Sequence, residues 1–268
     1  MTPLRVAVWA FTAGADPAAN AGTIRRGIAA AAATKAQVLV TPECALTGYP
    51  GAVRDGLVGL NSCALGELED SLLLAAEQAG IALVLGTAAP DGHGGWTNDA
   101  ATRDARYRKR CLTPGDTACF TAGARPVTFT AGGWKLGLAI CYDLRFPDIW
   151  TDLAHLGVDA YLVPSHMAGP DVDPGTKASV IPALCAVRAA ETATPLVLAN
   201  TAAPDRWLDS GAWDARGVQI ATLAEGLLTV DLVPRSSFAP WYTTVRNTYL
   251  ARSGQAGVPL PASAPGII

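Results

Sequence analysis

The sequence predicts a layered α/β domain in which two β-sheets pack face to face and helices cover their outer surfaces. Apolar strand-like segments alternate with amphipathic helix-like segments from Leu4 to Ala88. Two hairpins, at residues 96–112 and 127–140, interrupt this alternation. A purely parallel sheet would need a crossover between each strand pair, so the hairpins favour two sheets over the alternative, a single doubly wound sheet. With 268 residues, 50% of them hydrophobic, the chain can bury a large core.

The first half of the chain supplies the alternating strands and helices. Asn20 and Ser62 are the predicted N-caps of two helices, because short polar side chains precede apolar positions at helical spacing. The predicted helices cover residues 20–34 and 62–80, and the predicted strands cover 4–11, 37–41, 81–88, 96–103 and 106–112.

The second half continues the pattern and ends in a different composition. Strands are predicted over residues 127–130, 134–140, 160–164 and 196–200, and helices over 148–156 and 176–194. Residues 213–223 and 227–232 close the sheet region, with turns at Gly217 and Gly226. From residue 234 the chain is rich in Pro, Ser and Gly and lacks periodicity. We therefore expect one domain over residues 1–233 and a C-terminal tail over 234–268 that packs on the domain or on a partner subunit.

Composition and charge favour a small-molecule partner. The net charge is −3 and the basic residues are scattered, so we expect neither nucleic acid nor a membrane as a partner. No apolar run reaches the roughly 18 residues of a membrane span, and the N-terminus enters a strand pattern without a cleavable signal, so we expect a cytoplasmic protein. The six cysteines show no Cys-x-x-Cys pair, which predicts reduced thiols and no metal site.

Cys141 ends an apolar run that starts at Trp134, and Pro147 then opens an amphipathic segment. A thiol at the carboxyl end of a strand faces the crevice where ligands bind, and the backbone N–H groups that follow can point at an oxyanion. That arrangement suits a nucleophile. Most free cysteines are small buried packing residues, so this stretch alone leaves both interpretations open.

Glu43 after a predicted strand, Lys109 in a basic phrase and Cys141 after a strand follow one another along the chain. The phrases are Pro42-Glu43-Cys-Ala-Leu-Thr-Gly-Tyr49-Pro, Tyr107-Arg-Lys109-Arg-Cys-Leu112 and Ile140-Cys141-Tyr-Asp-Leu-Arg-Phe-Pro147. Together they resemble the nitrilase superfamily of carbon–nitrogen hydrolases, over about residues 4–232. The resemblance implies a four-layer α-β-β-α sandwich, a Glu-Lys-Cys triad, and neither metal nor organic cofactor. It is strongest on the amidase and ω-amidase side of the superfamily.

The resemblance implies a role for each triad residue, and the chemistry agrees. A thiol with a pKa of about 8.5 needs a base to attack an amide carbonyl at neutral pH, which would be Glu43. Lys109 and the backbone N–H of Tyr142 would stabilise the oxyanion. Cys141 would form a thioester with the acyl group of the substrate, and the amide nitrogen would leave as ammonia or an amine.

Further residues have supporting roles in this interpretation. Asp116 stands where the superfamily has a second glutamate and would support Lys109, although it could merely close a Pro-Gly turn. Tyr49 and His166 are expected to contact substrate, and Asp143 and Arg145 are expected to pair with each other and hold the turn after the cysteine.

Several alternatives stay open from the sequence. The same triad serves N-carbamoyl amino acid hydrolases and nitrilases, and a Cys-His hydrolase would use His155 or His166 as base. Glu43 could be solvated and Lys109 could be an edge-strand charge, in which case the fold would be a non-catalytic binding module.

We also expect a homo-oligomer, at least a dimer, that forms through residues 148–156 and 176–194, with the tail reaching across to the partner subunit. The tail aromatics Phe238, Trp241, Tyr242 and Tyr249 would be costly to leave in water.

Overall fold

The computed structural model describes residues 2–51, 57–169, 176–234 and 240–253. The strands are β1 (Leu4–Ala10), β2 (Val38–Val40), β3 (Ala82–Pro90), β4 (Trp96–Ala101), β5 (Arg106–Arg108), β6 (Thr128–Ala131), β7 (Trp134–Leu138), β8 (Ala160–Pro164), β9 (Leu196–Ala199), β10 (Ser210–Trp213), β11 (Gln219–Leu223) and β12 (Gly226–Leu232). The helices are α1 (Pro17–Ala33), α2 (Ser62–Gln78), α3 (Pro147–His155), α4 (Thr176–Thr192) and α5 (Pro240–Ser253).

The described strands form two six-stranded sheets. The first has the order β12-β1-β2-β3-β4-β5 and the second β11-β10-β9-β8-β7-β6. In each sheet three central strands run parallel, β1-β2-β3 and β7-β8-β9, and the flanking strands are antiparallel. The predicted two-sheet sandwich is confirmed, and the hairpins that suggested it are β4-β5 and β6-β7.

The core follows from the alternation of side chains along each strand. In β1, Val6 and Val8 face the second sheet and join Leu136 and Leu162 in the core between the sheets. Ala7, from the opposite face of β1, joins a second core under α1 and α2. Helices α3 and α4 pack on the outer face of the second sheet, so the layers run α-β-β-α.

The predicted helix caps are wrong by a few residues. Helix α1 begins at Pro17 after Asp16, whose side chain accepts from the Ala18 N–H, and α2 is capped by Asn61 rather than Ser62. The predicted cap Asn20 lies inside α1, where its buried amide bonds the backbone of Gly14 and Leu46.

The sheet region predicted over residues 213–223, with a turn at Gly217, consists of two strands, and the first of them begins earlier than predicted, at Ser210. β10 and β11 are joined by a tight turn in which Asp214 accepts from the N–H groups of Arg216 and Val218, and Gly217 has a positive φ of 82°. A carboxylate that bonds the backbone two residues on is a typical turn former, and glycine reaches that φ without strain.

The tail contains a helix that the sequence pattern did not indicate. Helix α5 contacts α3, and its Tyr242 hydroxyl donates to the Ala190 carbonyl of α4 at 3.0 Å. This part of the tail therefore packs on its own domain, whereas Phe238 and the side chain of Trp241 lie outside the described residues. Over the described ranges, no helix is both long and apolar enough to cross a bilayer.

Candidate active site

Cys141 lies at a sharp turn beyond the end of β7. The strand ends at Leu138, two residues earlier than expected, and a short 3-10 turn follows over Cys141–Arg145. The φ of Cys141 is +47°, a conformation that is strained for a residue with a Cβ and that clusters at functional sites.

Asp143 stabilises this turn. Its fully buried carboxylate accepts from the Ile140 N–H at 2.9 Å, the Tyr107 hydroxyl at 2.8 Å and the Cys111 N–H at 2.8 Å. The predicted pairing of Asp143 with Arg145 is wrong, since the guanidinium of Arg145 lies instead 5.9 Å from the ring centroid of Tyr142. The three bonds tie the cysteine turn to β5 and the segment that follows it.

Glu43 and Lys109 meet in the interior. Glu43 is 1% exposed and Lys109 is 0% exposed, and Lys109 Nζ lies 2.7 Å from Glu43 Oε1. A solvated glutamate and an edge-strand surface lysine, the alternatives that the sequence left open, are therefore excluded. Burial opposes the charge on Lys109, but Glu43, Cys141 and Asp116 outweigh it and raise the pKa of the ammonium well above its usual value.

Asp116 is both a turn former and a partner of Lys109. Its Oδ2 lies 2.8 Å from Lys109 Nζ and accepts from the Thr113 N–H, while Oδ1 accepts from the Tyr49 hydroxyl at 2.7 Å. Burial opposes ionisation of Asp116, but Lys109 and these donors hold the pKa of its carboxyl below the usual value. The two interpretations of Asp116 are thus compatible.

The Cys141 thiol lies within hydrogen-bonding reach of the Glu43 carboxylate and of the His166 N–H. The same N–H donates to Glu43 Oε2 at 2.9 Å. Burial, followed by the charge of Glu43, raises the pKa of the thiol well above its usual value, although Lys109 and the His166 N–H oppose this shift. The thiol of Cys141 is therefore protonated at neutral pH, with the Glu43 carboxylate beside it.

Cys141 opens on a cavity of about 310 Å³, which the other predicted binding residues also line. The rings of Tyr49 and His166 stack with centroids 4.6 Å apart, and Tyr142 contributes a further wall. Burial lowers the pKa of His166, which favours the neutral ring. Its contact with the thiol is made by the backbone N–H, while His155 is exposed at the end of α3, so neither histidine holds the position of a base.

Asn98 is a site residue that the sequence analysis missed. It is fully buried in β4, and its Nδ2 donates to Glu43 Oε1 at 2.7 Å. Its only sequence signal is a polar residue at a position that strand alternation turns toward the second sheet. Arg145 and Lys177 also line the cavity.

In the described part of the chain, no three or more His, Cys, Asp and Glu side chains are grouped as metal ligands would be. The expectation that the protein needs neither metal nor organic cofactor stays a prediction.

A sandwich of this kind, with a cysteine on a strained turn beside a buried carboxylate, is the architecture expected for a carbon–nitrogen hydrolase. The sequence model of that family, described as "Carbon-nitrogen hydrolase", matches residues 5–237. The chain therefore belongs to the carbon–nitrogen hydrolase family, which confirms the predicted family.

Curated relatives match over part of their length. A hydrolase of Mycobacterium tuberculosis is 28% identical over 172 residues, which are 60% of this chain and 60% of that protein. An (R)-stereoselective amidase of Pseudomonas sp is 32% identical over 132 residues, 47% of each chain. The alignments thus span 60% or less of these two relatives.

Solved structures match over nearly the whole length. The amidase from Nesterenkonia sp. AN1 is 29% identical, with a TM-score of 0.74 over 94% of this chain and 99% of that chain. A variant of that amidase carries the acetamide moiety of fluoroacetamide covalently at its active-site cysteine, and another binds butyramide, each at 28% identity over 94% of this chain and 97% of that chain, with TM-scores of 0.74 and 0.75. The predicted fold is confirmed.

Proposed function

We propose that the protein hydrolyses the carbon–nitrogen bond of a small linear amide through a thioester on Cys141 and releases ammonia or an amine. The observation that carries this proposal is the buried Glu43–Lys109 pair beside Cys141, which itself opens on a cavity of about 310 Å³. The family and the amidase structures with ligands at their active-site cysteine support it.

In the first step, Glu43 takes the thiol proton as Cys141 Sγ attacks the amide carbon. Proton transfer that is coupled to the attack by sulfur suits the raised pKa of the thiol, because little free thiolate exists before substrate arrives. The carbonyl oxygen becomes an oxyanion, which Lys109 and the Tyr142 N–H stabilise. Since the raised pKa keeps Lys109 charged, the ammonium is in place before the negative charge develops.

In the second step, protonated Glu43 gives its proton to the leaving nitrogen, the carbon–nitrogen bond breaks and the thioester remains. Glu43 then takes a proton from water, whose oxygen attacks the thioester carbon. The carbon–sulfur bond breaks, the thiol regains its proton and the carboxylic acid product leaves. Asp116 holds Lys109 in place throughout and bonds the Tyr49 hydroxyl, which connects the triad to the stacked Tyr49–His166 wall of the binding cavity.

A carboxylate-bearing substrate such as an N-carbamoyl amino acid is the second candidate, favoured by two cations in the same cavity. Lys177 Nζ lies 3.5 Å from the ring centroid of Trp207, and Arg145 lies above Tyr142. An aromatic ring orients a cation and leaves its charge in place.

Intact mass measurement after exposure to a panel of amides, nitriles and N-carbamoyl amino acids tests the proposal, with ammonia release measured in parallel. We expect an added acyl mass on the parent protein and none on Cys141→Ser. A pair of equal chain length, butyramide and succinamate, separates the two candidates because the second ends in a carboxylate. An absence of both turnover and adduct across the panel would overturn the proposed function.

We further propose that the protein is a homo-oligomer, at least a dimer, in the cytoplasm. Exposed apolar side chains at the end of α3 and on α4 and α5 support the assembly: Leu156, Val187, Val245 and Tyr249 are 40%, 48%, 61% and 56% exposed. Large apolar side chains left in water favour association. The location is a prediction from composition.

A further inference from the structure

Asn98 connects two members of the proposed triad. Its side-chain Nδ2 donates to Glu43 Oε1 at 2.7 Å, and its backbone carbonyl accepts from the Lys109 N–H at 2.8 Å. Strand β4, which carries Asn98, pairs with β3 on one side and with β5 on the other. One residue therefore bonds the side chain of the base and the backbone of the lysine.

We propose that Asn98 is a positioning residue that fixes the Glu43 carboxylate, so that Oε2 is the oxygen that exchanges protons with Cys141. This inference rests on the proposed amide hydrolysis. Oε1 accepts from both Lys109 and Asn98 at 2.7 Å, whereas Oε2 accepts from the His166 N–H, which lies beside the thiol. Two short bonds occupy Oε1 and reduce its basicity, so the proton goes to Oε2.

Lys109 cannot fix the carboxylate by itself. An ammonium is a compact charge with freely rotating donors, and it attracts a carboxylate without setting the plane of the group. The His166 N–H gives a directional bond to Oε2, and the planar amide of Asn98 adds a directional bond at Oε1. Without it, Glu43 could rotate about its last side-chain bond and carry Oε2 away from the thiol.

The unpaired oxygen of Asn98 supports a functional reason for the amide. Asn98 Oδ1 is buried and has no hydrogen-bond partner among the described residues. The reversed orientation would put this oxygen against the Glu43 carboxylate, so the observed orientation is the favourable one. An unsatisfied buried acceptor costs stability, and packing alone would be better served by an apolar side chain.

The pH dependence of the reaction reports this role. The ionisable groups near Glu43 come from several elements and are Lys109, Cys44, Cys141, Tyr49 and His166, and Asp116 pairs with Lys109 beside them. Asn98 adds an uncharged donor to that set. Its removal withdraws a hydrogen bond from the carboxylate, so we expect a changed pH profile of kcat.

Two variants of similar shape test the proposal. Asn98→Leu removes the donor, and we expect kcat to fall about ten- to hundredfold, the loss typical of a hydrogen bond to a charged group, with KM changed less than about twofold. Asn98→Asp keeps the shape and can donate only when the introduced carboxyl is protonated. The activity of Asn98→Asp is therefore expected to decline as pH rises. This decline should begin at a lower pH than the decline of the parent.

Thr97→Val is the matched control in the same strand. It removes a buried hydroxyl that donates to the Ala89 carbonyl at 3.1 Å on the opposite face of β4, and we expect parent-like kcat and pH profile. Circular dichroism and thermal unfolding of all variants check that the strand stays intact. If Asn98→Leu does not fold, Asn98→Asp still decides, because it changes one atom of the side chain.

Iodoacetamide alkylation of Cys141, followed by peptide mass mapping across pH, gives a readout independent of substrate. We expect slower alkylation in Asn98→Leu and an altered pH profile in Asn98→Asp. Parent-like kcat, pH profile and alkylation in both variants would overturn the positioning role. An inactive parent on the whole amide panel would instead refute the proposed function, so the two failures are distinguishable.

Discussion

The most informative perturbation is Lys109→Met, which removes one buried cation and leaves the apolar stem. Lys109 is the ion-pair partner of both Glu43 and Asp116, at 2.7 and 2.8 Å, and the side chains in both pairs are at most 1% exposed. The substitution therefore leaves two buried carboxylates without their cation. Such a loss affects stability as well as catalysis, and the two effects have separate physical causes.

The structure sets the size of both effects. Removal of one partner from a buried ion pair typically costs about 3–5 kcal/mol of unfolding free energy. At about 2–4 °C per kcal/mol for a domain of this length, Tm should fall by roughly 10 °C. Loss of an oxyanion donor typically costs about a hundredfold or more in turnover, which equals about 2.7 kcal/mol.

The stability difference should depend on pH with a defined sign. Lys109 holds the pKa of Asp116 below its usual value, so this carboxylate contributes stability above its unfolded pKa of about 3.9 and loses it as pH falls through the folded value. The raised pKa of Lys109 adds stability throughout the neutral range. The gap between parent and variant should therefore be largest above about pH 5 and narrow as pH falls.

Urea unfolding at several pH values and steady-state kinetics on a confirmed amide measure these quantities. The double variant Lys109→Met with Asp116→Asn is the control, since it removes one of the uncompensated charges and should regain part of the stability without regaining turnover. Lys109→Arg should also lose turnover, because a planar guanidinium does not replace a point charge in a tight site. Near-normal turnover in Lys109→Arg, or parent stability in Lys109→Met, would refute this reasoning.

Three further predictions follow from the same structure. Cys141→Ala should abolish hydrolysis and keep the fold, because few atoms are removed; equal turnover of parent and variant would exclude a catalytic cysteine. Asp116→Asn should lower kcat/KM about tenfold and shift the pH profile, as loss of a charged partner does, and a parent-like profile would leave the residue a turn former. Sedimentation should show a multiple of the chain mass for the full protein and a smaller multiple for a chain that ends near residue 234. An unchanged oligomeric state would show that the tail is not part of the interface.

Much of the fold was already determined by local patterns. The bounds of β8, Ala160–Pro164, agree with the prediction. A short run of apolar residues between turn signals predicts a strand whose two ends are set by those signals. Helices α3 and α4 were found to within about two residues from their apolar spacing and from Pro147. The caps of α1 and α2 were missed because several capping residues stand close together, and only the local backbone selects among them.

Helix α5 shows a further limit of sequence patterns. Residues 240–253 lack a clear apolar face, and their helix packs on α3 and α4 through contacts such as that of Tyr242 with Ala190. Tertiary packing overrides weak local preference in such segments.

For the site, the sequence by itself determined the residue types and their order: an acid after β2, a lysine after β5 and a cysteine after β7. Only the tertiary structure decided that Lys109 is buried while the neighbouring Arg110 reaches the surface and pairs with Asp152 at 2.8 Å. Strand alternation separates adjacent side chains, but which face becomes the interior depends on the sheet that covers it.

The structure alone also decided the contact of Asn98 with Glu43, which joins residues 55 positions apart along the chain. Strand pairing and the packing of β4 beside the loop after β2 create it, and no short-range pattern encodes such a distance. The physical reason is that periodicity constrains the direction of a side chain, whereas its partner depends on which distant segments the sheet brings together.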